Sequence, residues 1–385
     1  MKPKLIRITT VPLSLEKLLE GQLAFMKAYF EVVAVSAKKE KLEAYGKKEG
    51  VRVFPLALTR KITPITDLKA VYKLYRFLKK EKPAIVHTHT PKAGIVGMMA
   101  AWLAGVPHRL HTVAGLPLME ATGGKRILLD FIEKLTYRFA TKVYPNSKGL
   151  YDFILAEKFT EPSKLSIIGN GSSNGIDTAY FDPSQYAVNE KRSVRQELGI
   201  PQNHFTFVFV GRLVKDKGIN ELVAAFLNLS ASEKNISLIL VGPFEDDLDP
   251  LHPETLKNIK KNPNIHSVGF KKDVRPYLLA SDALAFPSYR EGFPNVVMQA
   301  GAMGLPSIVT DINGCNEIIT QGKNGLIIPP KNETTLFEAM KKMVNDPKVF
   351  AQLKTSARQT IVENYDRKEL WEALLAEYRQ LETSG

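Results

Sequence analysis

The first 170 residues alternate between short apolar, β-branched runs and longer segments of helical length, such as residues 67–80. This alternation is typical of strands in a parallel sheet joined by helical crossovers. It predicts an α/β domain with strands at residues 5–9, 32–36, 51–54, 85–87, 109–113, 143–145 and 165–168.

The same alternation returns after residue 204 and predicts a second α/β domain. Six further apolar runs are separated by helix-like stretches, as in a second doubly wound sheet. The predicted strands are residues 205–210, 238–241, 266–269, 283–287, 307–310 and 326–329.

Two Rossmann-like domains follow from these patterns, and the segment between them, residues 171–189, has the Ser, Gly, Asp and Pro content of a linker. Near the end of the chain, four apolar residues at helical spacing predict a helix that packs back on the first domain. Because open α/β sheets bind ligands at the carboxyl ends of their strands, we expect a site in a cleft between two facing sheets. The predicted boundaries are 1–180, 190–366 and 367–385, and the four apolar residues are Trp371, Leu374, Leu375 and Tyr378.

Composition narrows the classes of protein that remain. The 385 residues are 44% hydrophobic and 24% charged, which is ordinary for globular domains and excludes a disordered or fibrous chain. A single cysteine, Cys315, excludes an intramolecular disulfide and a multi-thiolate zinc site. The longest apolar stretch without a charge is too short to span a bilayer, and Arg7 and Pro12 interrupt the first apolar run. We therefore expect a cytoplasmic protein.

The net charge of +13 is confined to one half of the chain. Residues 1–170 hold 29 Lys and Arg against 14 Asp and Glu, a net charge of +15, and residues 171–385 carry −2. Such asymmetry indicates that the first half faces a polyanion, either anionic lipid or nucleic acid, unless the lysines are merely solvated.

Residues 211–218, Gly-Arg-Leu-Val-Lys-Asp-Lys-Gly, follow a predicted strand and lead into a helix. Gly211 permits a tight turn, and Arg212 and Lys217 place two cations beside a helix start, where backbone N–H groups already favour anions. The segment predicts a diphosphate clamp or, more simply, a basic surface loop. It matches neither a P-loop nor a dinucleotide-binding glycine turn.

A second constellation spans residues 283–311, which read as strand, loop, helix and strand. Glu291 stands where the loop turns into the helix, and the next four residues follow in an order that exposes backbone N–H groups at the helix start. A carboxylate that accepts from sugar hydroxyls, beside amides that donate to phosphate oxygens, suits a sugar phosphate. The alternative is an ordinary helix start, because Glu is also common in the first turn of a helix. The four residues are Gly292, Phe293, Pro294 and Asn295, and Gln299 follows on roughly the same face.

The spacing of these motifs, with a later Gly-x-x-Glu-Ile-Ile at residues 314–319, resembles the retaining glycosyltransferases of family 4, which have the GT-B fold. The resemblance implies that Arg212 and Lys217 contact the diphosphate of a nucleotide-sugar donor. It also implies that Glu291 contacts the donor sugar, that amides of residues 293–295 assist, and that Phe270 and Lys271 border the base. A UDP-sugar donor is expected, with no further cofactor and no metal.

The chain departs from the family pattern at two positions. A second glutamate that binds the ribose is replaced by Gln299, whose amide can still hydrogen-bond both hydroxyls. The family's loop histidine is replaced by Ala114, and His111, three residues earlier, is either a catalytic substitute or a core histidine.

In the first half, His87, His89 and Lys92 surround a turn between a strand and a helix, and Gly115 lies in a later loop. We predict that these residues bind the acceptor. Two histidines without a third ligand are a poor zinc signal. The His-Thr-His-Thr-Pro-Lys-Ala-Gly stretch is similar to that of enzymes that build bacterial surface polysaccharides and N-linked glycans on undecaprenyl diphosphate, which implies a lipid-linked sugar acceptor.

Residues 123–142 mix five cations with apolar residues in an amphipathic pattern suited to an anionic membrane surface. The alternative is a domain helix whose apolar stripe faces inward. With the +15 charge, the pattern favours peripheral attachment to the inner face of the cytoplasmic membrane. The cations are Lys125, Arg126, Lys134, Arg138 and Lys142, and the apolar residues are Ile127, Leu128, Phe131, Ile132, Leu135 and Phe139.

Three alternatives remain at this point. Asp247 and Asp249 form an Asp-x-Asp pair of the kind that holds Mn²⁺ in GT-A enzymes, although a solvated acidic loop is the simpler interpretation. A sugar-nucleotide epimerase or a phosphorylase is compatible with the same fold. A nucleic-acid-binding module would use the basic half, but no aromatic residues interleave with its cations on a recognisable RNA fold, so no nucleic acid partner is expected.

Overall fold

The computed structural model describes residues 2–59, 63–245 and 249–383, without the side chains of Glu120 and Val188. The chain forms two compact units. The first consists of Met1–Gly175 together with Arg367–Gly385, and the second is Ile176–Asp366. The unit boundary therefore lies within the segment whose composition predicted a linker.

The first unit contains a six-stranded parallel sheet in the order β3-β2-β1-β4-β5-β6. Leu5 and Ile6 point into different apolar clusters, because alternate residues of a strand face opposite sides of a sheet. Both faces are thus covered, which explains the continuous apolar runs. The strands are β1 (Lys4–Ile8), β2 (Glu31–Ser36), β3 (Arg52–Pro55), β4 (Ile85–Thr88), β5 (His108–Val113) and β6 (Lys142–Pro145).

Seven helices accompany this sheet within the first 175 residues that the structure describes. Helices α4, α5 and α6 pack side by side, with α5 in the middle. The helices are α1 (Pro12–Leu19), α2 (Gln22–Met26), α3 (Lys39–Glu49), α4 (Pro64–Glu81), α5 (Pro91–Ala104), α6 (Gly123–Phe139) and α7 (Lys148–Ala156).

The predicted strand at residues 165–168 is wrong. Leu165 makes one isolated bridge to Val143 at the sheet edge, and no strand forms. The apolar side chains of this segment pack instead, Leu165 in one core cluster and Ile168 against another. A short apolar run does not distinguish such packing from strand pairing.

The second unit contains another six-stranded parallel sheet, in the order β12-β11-β10-β7-β8-β9. A single large apolar cluster includes side chains from both the strands and the helices. All six strands predicted for this half are confirmed to within about two residues. The strands are β7 (Phe205–Val210), β8 (Ile236–Val241), β9 (Ile265–Gly269), β10 (Ala283–Phe286), β11 (Ser307–Thr310) and β12 (Gly325–Ile328).

The helices of the second unit alternate with its strands, as in a doubly wound fold. Within its described residues they are α8 (Val188–Glu197), α9 (Ile219–Ser232), α10 (Pro253–Lys261), α11 (Arg275–Ala280), α12 (Asn295–Ala302), α13 (Cys315–Ile318), α14 (Glu333–Asn345) and α15 (Pro347–Tyr365).

The last helix, α16 (Arg367–Thr383), belongs to the first unit. Leu374, Leu375 and Tyr378 are buried in the apolar cluster that also contains Leu5 and Phe30. Trp371 is 8% exposed and donates from Nε1 to Asn174 Oδ1 at 2.8 Å. Among the described residues, no helix combines the length and apolar character that a bilayer crossing requires.

Candidate active site

The loop after β7 approaches the end of β10 very closely, and Gly218 makes this approach feasible. Gly218 directly precedes α9 and has φ 70°. A Cβ at this position would stand 2.1 Å from the carbonyl oxygen of Pro287. Only glycine tolerates both the left-handed backbone and the contact, so the residue brings Lys217 beside the loop that carries Glu291.

Lys217 and Glu291 form an ion pair at the carboxyl ends of two neighbouring strands. The Lys217 Nζ lies 2.7 Å from the Glu291 Oε1. The Ser288 hydroxyl donates to the same oxygen at 3.0 Å. The two charged side chains are only 14% and 18% exposed, so their attraction is screened less than that of a surface pair. The structure therefore brings together two of the residues predicted to be catalytic.

Arg212 lies in the same loop and is held by carboxylates. Its Nη1 is 2.7 Å from Glu245 Oε2, and its Nη2 is 4.0 Å from Asp216 Oδ2. The hydrogen bond to Glu245 raises the pKa of Arg212. Asp216 also pairs with Arg290 at 2.9 Å. The guanidinium is 41% exposed and remains accessible to an anion that displaces Glu245.

The acidic loop predicted as an alternative metal site is only partly described, since Asp247 lies outside the described residues. The Asp249 carboxylate accepts a hydrogen bond from the Asp216 backbone N–H at 2.6 Å. Asp249 thus fastens the loop that carries Arg212. Within residues 2–59, 63–245 and 249–383, no group of three or more His, Cys, Asp or Glu could hold a metal ion.

The loop of Glu291 is fixed from the side of β11. Asn313 donates from Nδ2 to the carbonyls of Glu291 and Gly292 at 3.2 and 2.7 Å. Gly314 has φ 74°, and a Cβ there would stand 2.4 Å from the Gly292 carbonyl oxygen. These contacts hold the backbone before α12, which begins at Asn295 without a side-chain cap. The start of α12 therefore offers amides to an anion.

The remaining residues predicted to bind the donor lie at or near the carboxyl ends of the strands of the second unit. Phe270, directly after β9, is 72% exposed, so its ring is available for stacking. The Lys271 Nζ lies 5.8 Å from the Tyr277 ring centroid. Gly211 directly follows β7, and Gln299 is half-buried one turn after Asn295 on α12.

The histidines predicted to bind the acceptor are buried in the first unit, with Arg7 between them and α2. His87 bonds Tyr378 Oη at 2.6 Å through Nδ1 and Thr112 Oγ1 at 2.7 Å through Nε2. His89 accepts from Arg7 through Nε2, at 3.0 Å from Nε and 2.8 Å from Nη2. Burial, together with the Arg7 charge, lowers the pKa of both histidines well below its usual value.

His111 lies on the other face of the sheet from His87. Its Nδ1 is 2.7 Å from Thr88 Oγ1, and Thr88 and His87 are adjacent in β4 and so point to opposite faces. The ring packs against Gly94, where a Cβ would be 2.6 Å from its Cε1. Burial lowers the pKa of His111 to about 4. The structure thus places His111 in the core and does not bring it together with His87 and His89.

The other two residues predicted to bind the acceptor lie near the carboxyl edge of the first sheet. Lys92, at the start of α5, forms an ion pair with Asp67 of α4. Gly115 follows β5, and a Cβ there would have open space around it. Lys92 thus joins two helix starts, while Gly115 leaves room beside the loop.

Sequence reasoning missed Arg7, the charged centre of the histidine cluster. Arg7 is 0% exposed although it lies in a strand of otherwise apolar residues and Lys4. The signal was present, because a cation inside a short apolar strand is rarely buried without a partner. Gln22 and Tyr378, its neighbours from α2 and α16, gave no comparable signal.

Comparisons with known proteins identify the same kind of enzyme in both halves of the chain. Residues 190–360 match the family "Glycosyl transferases group 1", and residues 22–171 match "Glycosyl transferase 4-like domain". The chain is 30% identical to the capsular polysaccharide biosynthesis glycosyltransferase CapM of Staphylococcus aureus, over 97% of this chain and 96% of that protein. The chain belongs to this glycosyltransferase family.

A second relative and a solved structure give two further comparisons. An Escherichia coli UDP-Gal:α-D-GlcNAc-diphosphoundecaprenol α-1,3-galactosyltransferase is 33% identical over 83% of this chain and 81% of its own length. Anabaena HepE, solved in complex with UDP, superposes with a TM-score of 0.82 at 18% identity, over 98% of this chain and all of that one. The predicted GT-B fold and the resemblance to family 4 are confirmed, and the epimerase and nucleic-acid alternatives receive no support.

Proposed function

We propose that this glycosyltransferase moves a hexose or an N-acetylhexosamine from a UDP-sugar, with retention of configuration, to a sugar carried on a polyprenyl diphosphate in bacterial polysaccharide or glycan synthesis. The observation that carries the proposal is the cluster of Lys217, Glu291 and Ser288 with Arg212 nearby. The names of the relatives support a UDP-linked donor and a lipid-linked acceptor.

Arg212 and Lys217 are assigned to the diphosphate of the donor. When the bond between the anomeric carbon and the phosphate oxygen breaks, negative charge grows on the diphosphate, and two fixed cations stabilise it. Arg212 exchanges Glu245 for the diphosphate, whereas Lys217 stays oriented by Glu291. In this proposal the two side-chain cations supply the positive charge that Mn²⁺ supplies in GT-A enzymes.

The carboxylate of Glu291 is assigned to the sugar hydroxyls, and the α12 amides to phosphate oxygens. As the acceptor hydroxyl forms its bond to the anomeric carbon, its proton passes to the departing diphosphate, so no carboxylate nucleophile is required. The fixed backbone from Ser288 to Asn295 keeps these groups in one geometry before the donor arrives.

The donor assignment is tested by the melting temperature of the purified protein with UDP, GDP, ADP and NAD, each in EDTA and again with Mn²⁺. A ligand that binds only the native state raises the melting temperature. We expect a rise with UDP that persists in EDTA. A rise that needs Mn²⁺ would contradict the metal-independent clamp and would favour a metal site at Asp247 and Asp249. No rise with any nucleotide would contradict the donor site.

The acceptor is tested by incubating UDP-hexoses and UDP-N-acetylhexosamines with a polyprenyl-diphosphate sugar and following the product by mass spectrometry. Transfer with the anomeric configuration of the donor is expected, as read from NMR coupling constants. Inversion, or change of the donor without an acceptor, would contradict the proposal.

We further propose that the first unit docks on anionic membranes through the exposed apolar face of α6 and the start of α4. Ile127 and Phe131 are 71% and 62% exposed, while the buried side of α6 carries Glu133, Thr136 and Tyr137. The helix thus presents apolar side chains to solvent. A domain helix whose whole apolar stripe faces inward, the alternative given by the sequence, would not. On α4, Ile65, Leu68 and Tyr72 are exposed as well.

Both helices begin at the carboxyl edge of the sheet, so these two apolar groups lie toward the same edge. The first unit holds 32 Lys and Arg against 18 Asp and Glu, a net charge of +14, whereas the second unit has −1. Insertion of apolar side chains, together with basic residues around them, is the usual basis for peripheral binding to anionic lipid.

Sedimentation with vesicles tests this docking. Wild-type protein is expected to pellet with vesicles that contain phosphatidylglycerol and to be released by salt. The double variant Ile127→Ser, Phe131→Ser should lose about 100-fold or more in affinity, since each buried side chain contributes ~1.5 kcal/mol or more. Leu103→Ser is the control. Leu103 is 49% exposed, but it lies at the C-terminal end of α5, away from the carboxyl edge of the sheet where α4 and α6 begin. Equal loss in both variants would contradict docking through α6.

A further inference from the structure

A small polar cavity lies inside the first unit, at the carboxyl ends of the central strands. Its volume is about 20 Å³, and Arg7, His87, His89 and Asn146 are among its walls. All four are at most 5% exposed. A space of this size holds one water molecule or one ion of similar size.

The charge of Arg7 is not balanced within the described structure. Its guanidinium donates to His89 Nε2 and to Gln22 Oε1, the latter at 2.5 Å, and both acceptors are uncharged. No described carboxylate forms an ion pair with it, and burial holds His87 and His89 in their neutral forms. Buried charges are normally paired, so the cavity carries an uncompensated positive charge.

Two hydrogen-bond donors on residues that line this cavity have no partner among the described residues. Arg7 Nη1 is one of them. His89 accepts from Arg7 at Nε2, so its ring proton resides on Nδ1, which is the second. Both belong to side chains that are at least 97% buried, and a buried donor without an acceptor is unfavourable.

Asn146 supplies a third group. Its Nδ2 bonds Ser173 Oγ at 3.2 Å, and its Oδ1 has no described partner. Because a hydroxyl both donates and accepts, the amide can turn and offer its N–H to the cavity while Ser173 donates to its oxygen. Ile168, Leu370 and Leu374 form the apolar part of the wall, and no carboxylate is among the residues that line the cavity.

We propose that this cavity is a binding site for one monatomic, monovalent anion of chloride size, held by Arg7, His89 and Asn146. The anion accepts from the free donors and neutralises Arg7, which a water molecule does not do. The site is separate from the donor cluster in the second unit, and it does not depend on the proposed function.

The first test compares melting temperatures in sodium chloride, sodium bromide and sodium gluconate at equal ionic strength. Chloride and bromide are expected to raise the melting temperature by about 2–4 °C over gluconate. Arg7→Met should abolish this difference. Lys17→Met, which removes an exposed cation from the same unit, should keep it. The same anion response in Arg7→Met as in wild type would overturn the proposal.

The second test needs no variant, so it decides the matter even if Arg7→Met does not fold. Crystals grown in sodium bromide are expected to show an anomalous peak in the cavity, within hydrogen-bonding reach of Arg7 Nη1. A water molecule there, without anomalous signal, would overturn the proposal. A bromide peak without any anion effect on the melting temperature would also overturn it, because binding would then occur at crystal concentration only.

Discussion

The ion pair of Lys217 and Glu291 holds each side chain in one orientation before any substrate is present. Ser288 adds a third contact to the same carboxylate oxygen. An oriented cation need not be reorganised when charge develops on a leaving group, and this is the physical basis of electrostatic preorganisation.

Removal of either cation of the predicted clamp should therefore slow transfer. Arg212→Ala and Lys217→Ala are each expected to lower kcat about 10²-fold or more, as is typical when one transition-state donor is lost. Lys215→Ala is the matched control, because Lys215 lies exposed in the same loop. Steady-state kinetics with a UDP-sugar measures the effect. Turnover within a few-fold of wild type in both variants would contradict the assignment.

Gly218 provides a residue-scale test of how the site is assembled. Gly218→Ala should destabilise the protein by more than ~3 kcal/mol, since strain at positive φ adds to a clash with the Pro287 carbonyl. Gly304→Ala has a similar φ of 78° but open space around its Cβ, so a loss of about 1 kcal/mol is expected there. Urea denaturation measures both. Equal losses would mean that the close approach to Pro287 does not constrain the site.

Helix α6 exposes apolar side chains and buries a carboxyl group. The buried side includes Glu133, and burial raises the pKa of this carboxyl to about 7, only partly opposed by the neighbouring Tyr137 hydroxyl. Unfolded chain ionises Glu133 near pH 4.5, whereas the folded protein keeps the proton up to about pH 7. The folded state thus binds more protons between these values, and the contribution of Glu133 to stability falls as pH rises through this window.

Glu133→Gln should remove this dependence. Near pH 4.5 the variant and wild type are expected to have the same free energy of unfolding. The variant then becomes the more stable of the two as pH rises, by roughly 3 kcal/mol above about pH 7. Buried histidines act in the opposite direction, because their lowered pKa values destabilise the fold at acid pH, but they are common to both proteins. Urea denaturation between pH 4.5 and 8 gives the difference. Exposed Glu161→Gln should parallel wild type, and a parallel curve for Glu133→Gln would contradict the prediction.

At the same scale, most elements could be predicted because parallel strands buried on both faces give continuous apolar runs. The failure at residues 165–168 arose because an apolar segment can pack without pairing. The donor loops were accessible to prediction because Gly211, Arg212 and Glu291 lie in the loops that follow two strands of the sheet. The outward apolar face of α6 was not decidable, since periodicity gives a helix two faces without saying which is covered.

At the scale of the whole molecule, the first unit is assembled from two separate parts of the chain. Tyr378 of α16 is 0% exposed, packs edge-on against Phe30 at 5.7 Å and bonds His87. The histidine cluster predicted from residues 87–92 is therefore completed by a residue 291 positions away, which local sequence patterns do not reveal.

Tyr378→Ala should destabilise the first unit by about 3–5 kcal/mol, the usual loss for a large buried aromatic side chain. Tyr72→Ala is the control, because Tyr72 is 62% exposed in the same unit. Calorimetry should show one transition shifted to lower temperature and the other, assigned to the second unit by its response to UDP, unchanged. A shift of both transitions by the same amount would contradict independent unfolding of the two units.

The return of the chain at Arg367 also imposes an order on biosynthesis. The second unit is continuous and can complete its fold as soon as Asp366 has left the ribosome. The first unit must wait for α16, and about 190 residues are made in between, which takes roughly 10–40 s at typical translation rates. During that interval the apolar surface that α16 will cover is open to chaperones, and the core of the first unit is complete only once α16 has been made.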